Sequence, residues 1–402
     1  MTLHAHWGHE SVLRALARAR SRDSLPGALL IHGPHGVGKQ HLALWLARLL
    51  LCAEPGPEGP CEACSHCRLA VRLEHPDLHW YFPLPRPKGS PSPEKLARDL
   101  EEARAAALAE IRSDPLKPLQ EEEPRALYLA AARTLRRNAQ RRPAMAEGQV
   151  FIVAQAEALA PQAASSEAAN ALLKLLEEPP EGTTMILTSG EPGRLLPTIR
   201  SRTAHLHLPP LPVARVVAFL RDVAGVEEGE ALRAGALSRG SIGRALGFLP
   251  DGDGPGPLER TRRQAMDLLT AALAPSPTDA FLKALDFGGT GGRKLTDLLD
   301  FLEERLEELA VVATGDTGGG APAARGGPEE EKGPGGGRPV PEERAAFRQL
   351  TARHPVRPAA VARAVDRVEE ARRLASGNVN PQLVVFGLLR DLRATLTEGR
   401  AT

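Results

Sequence analysis

Short apolar runs punctuate the first half of the chain: Ala28–His32, His79–Phe82, Val150–Val153, Met185–Thr188 and Ala204–Leu208. Ala28–Ile31, Val150–Val153 and Met185–Leu187 carry no polar residue, the pattern of strands buried on both faces. Between the runs lie longer segments with Leu and Ala at helical spacing. Leu13, Leu16 and Ala17 share one face of a helix that ends at the Leu25-Pro26-Gly27 turn. Leu42, Leu46, Leu49 and Leu50 mark a buried helix over Lys39–Leu51. A third helix opens at Ser165 or Ser166, with Glu167 in its first turn, and stops at Pro179-Pro180. Buried strands alternating with such helices predict an α/β domain built on a parallel sheet.

Two stretches interrupt this alternation. Residues 83–95 are Pro/Ser-rich and read as loop, followed by a charged helix over about 94–112 and more loop to Pro124, an insertion spanning 83–125. A basic helix is expected over 126–142, with Arg133, Arg136, Arg137, Arg141 and Arg142; it is either a contact for DNA or another subunit, or a solvated face. Beyond residue 208 the strand pattern ceases. Residues 209–250 form a small helical unit, and Asp251–Pro257 is a hinge. Residues 258–402 are helical, with Leu268, Leu269 and Ala272 on one face and Leu298, Leu299, Leu302 and Leu306 on another. Within them, 314–341 hold almost no side chain able to build a core and read as a flexible insertion.

The 402 residues suffice for two or three domains. Lys+Arg number 51 against 50 Asp+Glu, so no bulk field drives the chain onto nucleic acid or membrane. No apolar run approaches the ~18 residues of a membrane span, and the N-terminus lacks the regions of a signal peptide. The expectation is a soluble, cytoplasmic protein without membrane partners.

The chemistry begins at Gly33-Pro34-His35-Gly36-Val37-Gly38-Lys39-Gln40. A glycine loop between a buried strand and a helix turns backbone N–H groups onto phosphate oxygens, and Lys39 reaches the outer phosphates. The position after the lysine ordinarily carries Ser or Thr for magnesium; here it is Gln40. After Val150–Val153, where an Asp would hold magnesium and a Glu polarise the attacking water, stand Ala154 and Gln155. Glu157 comes three residues too late. Three losses in one site indicate that hydrolysis has been abandoned while the phosphate cradle remains.

Cys52, Cys61, Cys64 and Cys67 are all the cysteines in the chain. Their clustering in a cytosolic protein argues for metal rather than disulfides. Four thiolates complete a tetrahedral Zn²⁺ with no open position, so the expected role is structural. His66 is an alternative ligand that the regular cysteine spacing disfavours.

Ala171–Pro180 (ALLKLLEEPP) together with Leu195–Thr203 (LLPTIRSRT) resembles the clamp-loader branch of the AAA+ ATPases, and the cysteine insert directly behind the glycine-loop helix resembles its bacterial members. Ser201-Arg202-Thr203 stands where that family usually has Ser-Arg-Cys, and Gly240–Leu246 is similar to its lid-domain sensor segment. The resemblance implies an AAA+ core over 1–208 with the zinc insert at 52–78, a helical lid over 209–250 and an all-α collar over 258–402. The broken site resembles the delta-prime type of subunit rather than the gamma/tau motors. That type implies a place in the DNA polymerase III holoenzyme, a DNA-directed DNA polymerase, without ATPase activity of the chain's own. Motor and delta subunits would complete a hetero-pentameric ring that loads a sliding clamp on primed DNA. Arg202 would act as an arginine finger in the neighbouring motor's ATP site. Gly33, Gly36, Gly38, Lys39 and Arg244 would form a degenerate nucleotide site in which ATP and Mg²⁺ are doubtful. Competing readings are an active motor-type ATPase using Gln40 and Glu157, and a zinc-bearing DNA-binding module.

Overall fold

The computed structural model describes residues 7–89, 92–116, 125–159, 166–252, 254–274, 277–285, 292–313, 349, 352, 356–375 and 379–397. The described residues divide into two compact units, one ending at Leu246 and the other beginning at Gly247. The flexible insertion expected at 314–341 lies outside the described residues, as does Ser165.

The first unit contains β1 (Ala28–His32), β2 (Leu78–Tyr81), β3 (Leu84–Pro85), β4 (Arg125–Ala126), β5 (Gln149–Val153), β6 (Thr183–Ser189) and β7 (Ala204–His207). Its helices are α1 (Glu10–Ser21), α2 (Lys39–Leu51), α3 (Ser65–Val71), α4 (Pro93–Ser113), α5 (Leu129–Ala139), α6 (Glu167–Glu177), α7 (Pro197–Arg200), α8 (Val213–Asp222), α9 (Glu228–Leu237) and α10 (Ile242–Phe248). Five strands form a wholly parallel sheet in the order β2-β5-β6-β1-β7. The strands are unbroken apolar runs because both faces are covered. Leu29, Ile31, Ile152 and Ile186 point into a core shared with α1, α2 and α4. Leu30, Phe151, Met185 and Leu187 point into a second core with α5, α6 and α7. Fully burying one such side chain contributes about 1.5–3 kcal/mol. β1 lies between β6 and β7, so the loop leaving its carboxyl end opens on the edge where α/β sheets bind ligands.

The segments read as loop and basic helix differ from expectation. β3 pairs antiparallel with β4, Leu84 against Ala126, which pinches together the two ends of the insertion. That pairing takes Ala126 out of the expected helix, and α5 runs only from Leu129 to Ala139. Arg141 and Arg142 therefore lie beyond the helix, although all five arginines are exposed. Ser166 does not cap α6 through its side chain; its hydroxyl instead accepts from Asn170 Nδ2 at 3.2 Å.

Asp77 fixes the entry to the sheet. It is buried, and its carboxylate accepts N–H bonds from Ala144 (2.5 Å), Met145 (2.8 Å) and Ala146 (2.7 Å), while its carbonyl accepts from Val150 (2.8 Å). Burial opposes ionisation, but the three donors and nearby His75 hold the carboxyl below its ordinary value. A depressed folded pKa stabilises the fold above the unfolded value near 3.9, and that stability is lost as pH falls through the folded pKa. Asp77→Asn is expected to lower stability at pH 7 by about 2–3 kcal/mol. In urea unfolding the gap to the parent protein narrows below pH 4; a gap independent of pH contradicts the charge-based account.

The second unit is helical: α11 (Pro257–Leu273), α12 (Pro277–Leu285), α13 (Gly292–Ala313), α14 (Pro358–Ala375) and α15 (Pro381–Thr397). Both predicted apolar faces are used, since Leu268, Leu269, Ala272, Leu298, Leu302 and Leu306 are all buried. Arg372 of α14 reaches Asp300 (2.9 Å) and Glu303 (2.7 Å) on α13. No helix among the described residues is long and apolar enough to cross a membrane.

Candidate functional site: a glycine loop, a seated arginine and a cysteine cluster

The glycine loop has the geometry its sequence demands. Gly36 (φ 75°) and Gly38 (φ 99°) occupy the left-handed region, and Gly38 caps the N-terminus of α2. No acidic residue occupies the first turn of that helix, so its positive end faces the loop uncompensated by a carboxylate there. Lys39 is buried, and its ammonium donates to the carbonyls of Gly33 (2.7 Å) and Pro34 (2.6 Å).

The segment Gly240–Leu246 lies directly on this loop. Ser241 Oγ donates to the His35 carbonyl (2.9 Å), Gly243 N–H to the Gly36 carbonyl (3.0 Å), and Arg244 N–H to Ser241 Oγ (3.1 Å). A Cβ on Gly36 would stand 2.3 Å from Ser241 Oγ and 3.1 Å from Arg244 N, so glycine is required by close packing as well as by φ. Arg244 is thus brought to the glycine loop through its backbone.

The carboxyl ends of β5 and β6 form the opposite wall. Ala154 is buried and offers no ligand atom. Gln155 adopts φ 50° and donates its N–H to Thr188 Oγ1 at 3.2 Å. Glu157 is buried in the short helical turn beyond it, where its Oε1 accepts from Gly190 N–H at 3.1 Å. Gly190 in turn packs so closely on His35 that a Cβ would meet the ring at 2.3 Å. The His35 ring lies 3.8 Å from Glu191, and its proximity, with Arg194 adding to it against the opposing effect of burial, pulls the Glu191 carboxyl down to about 2.

Arg202 stands just beyond α7 on a rigid pedestal. The buried Thr203 donates its hydroxyl back to the carbonyls of Ile199 (3.2 Å) and Arg200 (3.3 Å), tying the turn to the helix it leaves. Arg202 Nη1 donates to the Thr198 carbonyl (3.1 Å), and its Nε lies 3.4 Å from Glu177 Oε2 at the end of α6. The motifs ALLKLLEEPP and LLPTIRSRT are therefore joined in space by this arginine.

The four cysteines converge. Cys52 ends α2, Cys64 caps α3, Cys67 is in its first turn, and all four sulfurs lie within 4.8 Å of one another. The Cys52–Cys64 and Cys61–Cys67 sulfur separations are both 4.0 Å; a tetrahedron with metal–sulfur bonds of about 2.3 Å has edges near 3.8 Å. Backbone N–H groups of Cys61, Cys64 and Cys67 point at the sulfurs of Cys52 (3.3 Å), Cys61 (3.3 Å) and Cys64 (3.4 Å). Burial opposes the Cys64 thiolate, yet the N–H groups of Cys67 and Ala53 and the neighbouring thiols bring its pKa down to about 6, whereas burial pushes Cys67 up. The site can hold a metal ion. His66 is not part of it; its Nδ1 pairs with His75 Nε2 at 2.9 Å.

Two features of this region have no signal in the sequence: the Asp77 clamp and the contacts of His35 with Gly190 and Glu191. The His75-Pro76-Asp77 turn is visible, but the three N–H donors to Asp77 come from residues 144–146, far along the chain.

The family described as DNA polymerase III, delta subunit, matches residues 8–212, half of the chain. The delta' subunit of Pseudomonas aeruginosa is 34% identical over 215 residues, 53% of each chain. The delta' subunit of Bacillus subtilis is 32% identical over 200 residues, covering 50% of this chain and 47% of its own. The gamma/tau subunit of Mycobacterium bovis is 30% identical over 326 residues, 76% of this chain and 48% of its own. The chain thus spans about half the length of the curated relatives it matches. A crystal structure of a gamma-subunit-related protein from Thermotoga maritima covers 95% of this chain and 99% of its own at 14% identity with a TM-score of 0.32, a superposition too loose to argue from. The chain belongs to the DNA polymerase III delta-subunit family.

Proposed function

We propose that this chain is a delta'-type subunit of a bacterial clamp loader. On this reading it works in the cytoplasm with gamma/tau motor subunits and a delta subunit in a hetero-pentameric ring, and the ring places a sliding clamp on primed DNA. The observation that carries it is the mismatch between an intact phosphate cradle and missing catalytic ligands. Gln40 replaces the magnesium hydroxyl, Ala154 supplies nothing, Glu157 is engaged with Gly190, and Glu191 is engaged with His35 and Arg194. Arg202 is the arginine finger offered to a motor subunit's ATP. The cysteine cluster takes a structural Zn²⁺, residues 209–250 act as the lid, and the helices of 258–402 form the collar.

A second reading, an active motor, draws on the gamma/tau relatives that align over 326 residues. The two are separated by reconstitution with the motor and delta subunits of the same source. A delta'-type chain joins the ring and is required for clamp loading, while its own nucleotide site is dispensable. Lys39→Met is therefore expected to leave loading turnover within about twofold. It also removes two hydrogen bonds to loop carbonyls, which lowers unfolding stability by about 1–3 kcal/mol. A loss of loading without loss of stability favours the motor reading.

A further inference from the structure

The outer strand β7 carries His205 and His207 two residues apart, hence on one face of the sheet. His32 on β1 is the register partner of His207 and shares that face. The His32 ring lies 5.2 Å from that of His207 and 5.6 Å from that of His205, centroid to centroid. Two imidazoles bound to one Zn²⁺ at about 2.0–2.1 Å have centroids on the order of 5 Å apart. The His32 ring is thus close enough to both others to share an ion with them, although the ring nitrogens do not yet converge.

His205 supplies a second observation. Its Nε2 lies 3.0 Å from the Arg200 carbonyl, which can only accept. The ring therefore donates from Nε2, which leaves Nδ1 as the nitrogen that would face a metal. Metal-binding histidines ordinarily donate their far N–H to a carbonyl or carboxylate in this way.

We propose that His32, His205 and His207 form a second metal site, separate from the cysteine cluster, for a borderline divalent transition-metal ion such as Zn²⁺. Imidazole nitrogens suit such ions, and three of them leave a fourth position for water, unlike the closed cysteine site. Among the described residues only the cysteines already have every ligand atom within 4.8 Å of the others. The histidines need a ring rotation, which the exposure of His205 and His207 on an edge strand permits. That rotation makes this the weaker of the two sites.

The test uses the full chain with its cysteine site filled by Zn²⁺ and excess metal dialysed away. Calorimetric titration with Zn²⁺ is expected to show one further equivalent. His205→Ala with His207→Ala weakens it at least 30-fold, and Cu²⁺ added in place of Zn²⁺ shows nitrogen hyperfine splitting that this pair of substitutions abolishes. Both residues are exposed, so thermal unfolding of the dialysed chain, with only its cysteine site filled, should match the parent chain and confirm the fold. His4→Ala with His6→Ala controls for the other His-x-His in the sequence and leaves the second equivalent in place. Absence of a second equivalent overturns the proposal, as does its loss with His4 and His6 or its survival without His205 and His207.

Discussion

In the proposed delta'-type role, Arg202→Ala is expected to slow ATP hydrolysis roughly 10³–10⁵-fold at the neighbouring motor subunit's nucleotide site. At about 1.4 kcal/mol per decade, that is a loss on the order of 4–7 kcal/mol of transition-state stabilisation. The guanidinium is partly exposed and held at 3.4 Å by Glu177 and at 3.1 Å by the Thr198 carbonyl, so the isolated chain keeps it seated rather than loose. An exposed ion pair of this kind contributes little, about 0–1 kcal/mol, and yields readily to a phosphate. Arg202→Lys should recover only a small part of the rate, because an ammonium cannot reproduce the planar fork. Single-turnover hydrolysis in the reconstituted ring reads both. Folding of the isolated chain should change by no more than about 1 kcal/mol in either variant, so a large loss of stability would recast Arg202 as a structural residue.

Removing the Zn²⁺ proposed for the cysteine cluster is expected to have the second large effect. Zinc binding to such sites contributes on the order of 10 kcal/mol or more, and it does so as folding energy. The insert has little core of its own, yet its loop packs on the main domain: a Cβ on Gly59 would stand 3.0 Å from the Trp45 ring, and Arg48 pairs with Glu62 at 3.0 Å. Chelation, or Cys67→Ser, is expected to unfold the cysteine loop and α3, residues 52–71, uncover Trp45 and shift tryptophan emission to longer wavelength. Protease should then cut within the insert while the parallel sheet survives. Because thiolates are the ligands, acid should release the metal with the same signature. An unchanged emission spectrum after complete metal removal would show that the insert folds without it.

Much of this fold is legible in the chain because the signals are local. Runs such as Val150–Val153 and Met185–Leu187 specify strands buried on two faces, and the structure divides their alternate residues between two cores. The glycine loop and the cysteine spacing are equally plain, since each is a compact set of residues whose chemistry fixes its geometry. The features that escape depend on contacts across long sequence separations. Nothing near Asp77 announces that residues 144–146 will donate to it, and nothing near Leu84 announces a strand partner at Ala126. The basic helix is shorter than expected because arginine spacing continues past Ala139 although the helical backbone does not. His205 and His207 are visible as a His-x-His pair, but only strand register brings His32 beside them.

The most direct test of the delta'-type assignment is steady-state ATP hydrolysis by the purified chain alone, with Mg²⁺ present, against the same chain mixed with motor and delta subunits. The isolated chain is expected to show no turnover above background, and turnover in the mixture is expected to fall when Arg202 is replaced. Hydrolysis by the isolated chain at a rate comparable to a motor subunit would contradict the assignment. Gln40 and Glu157 would then be working ligands, and the protein would belong with the motors.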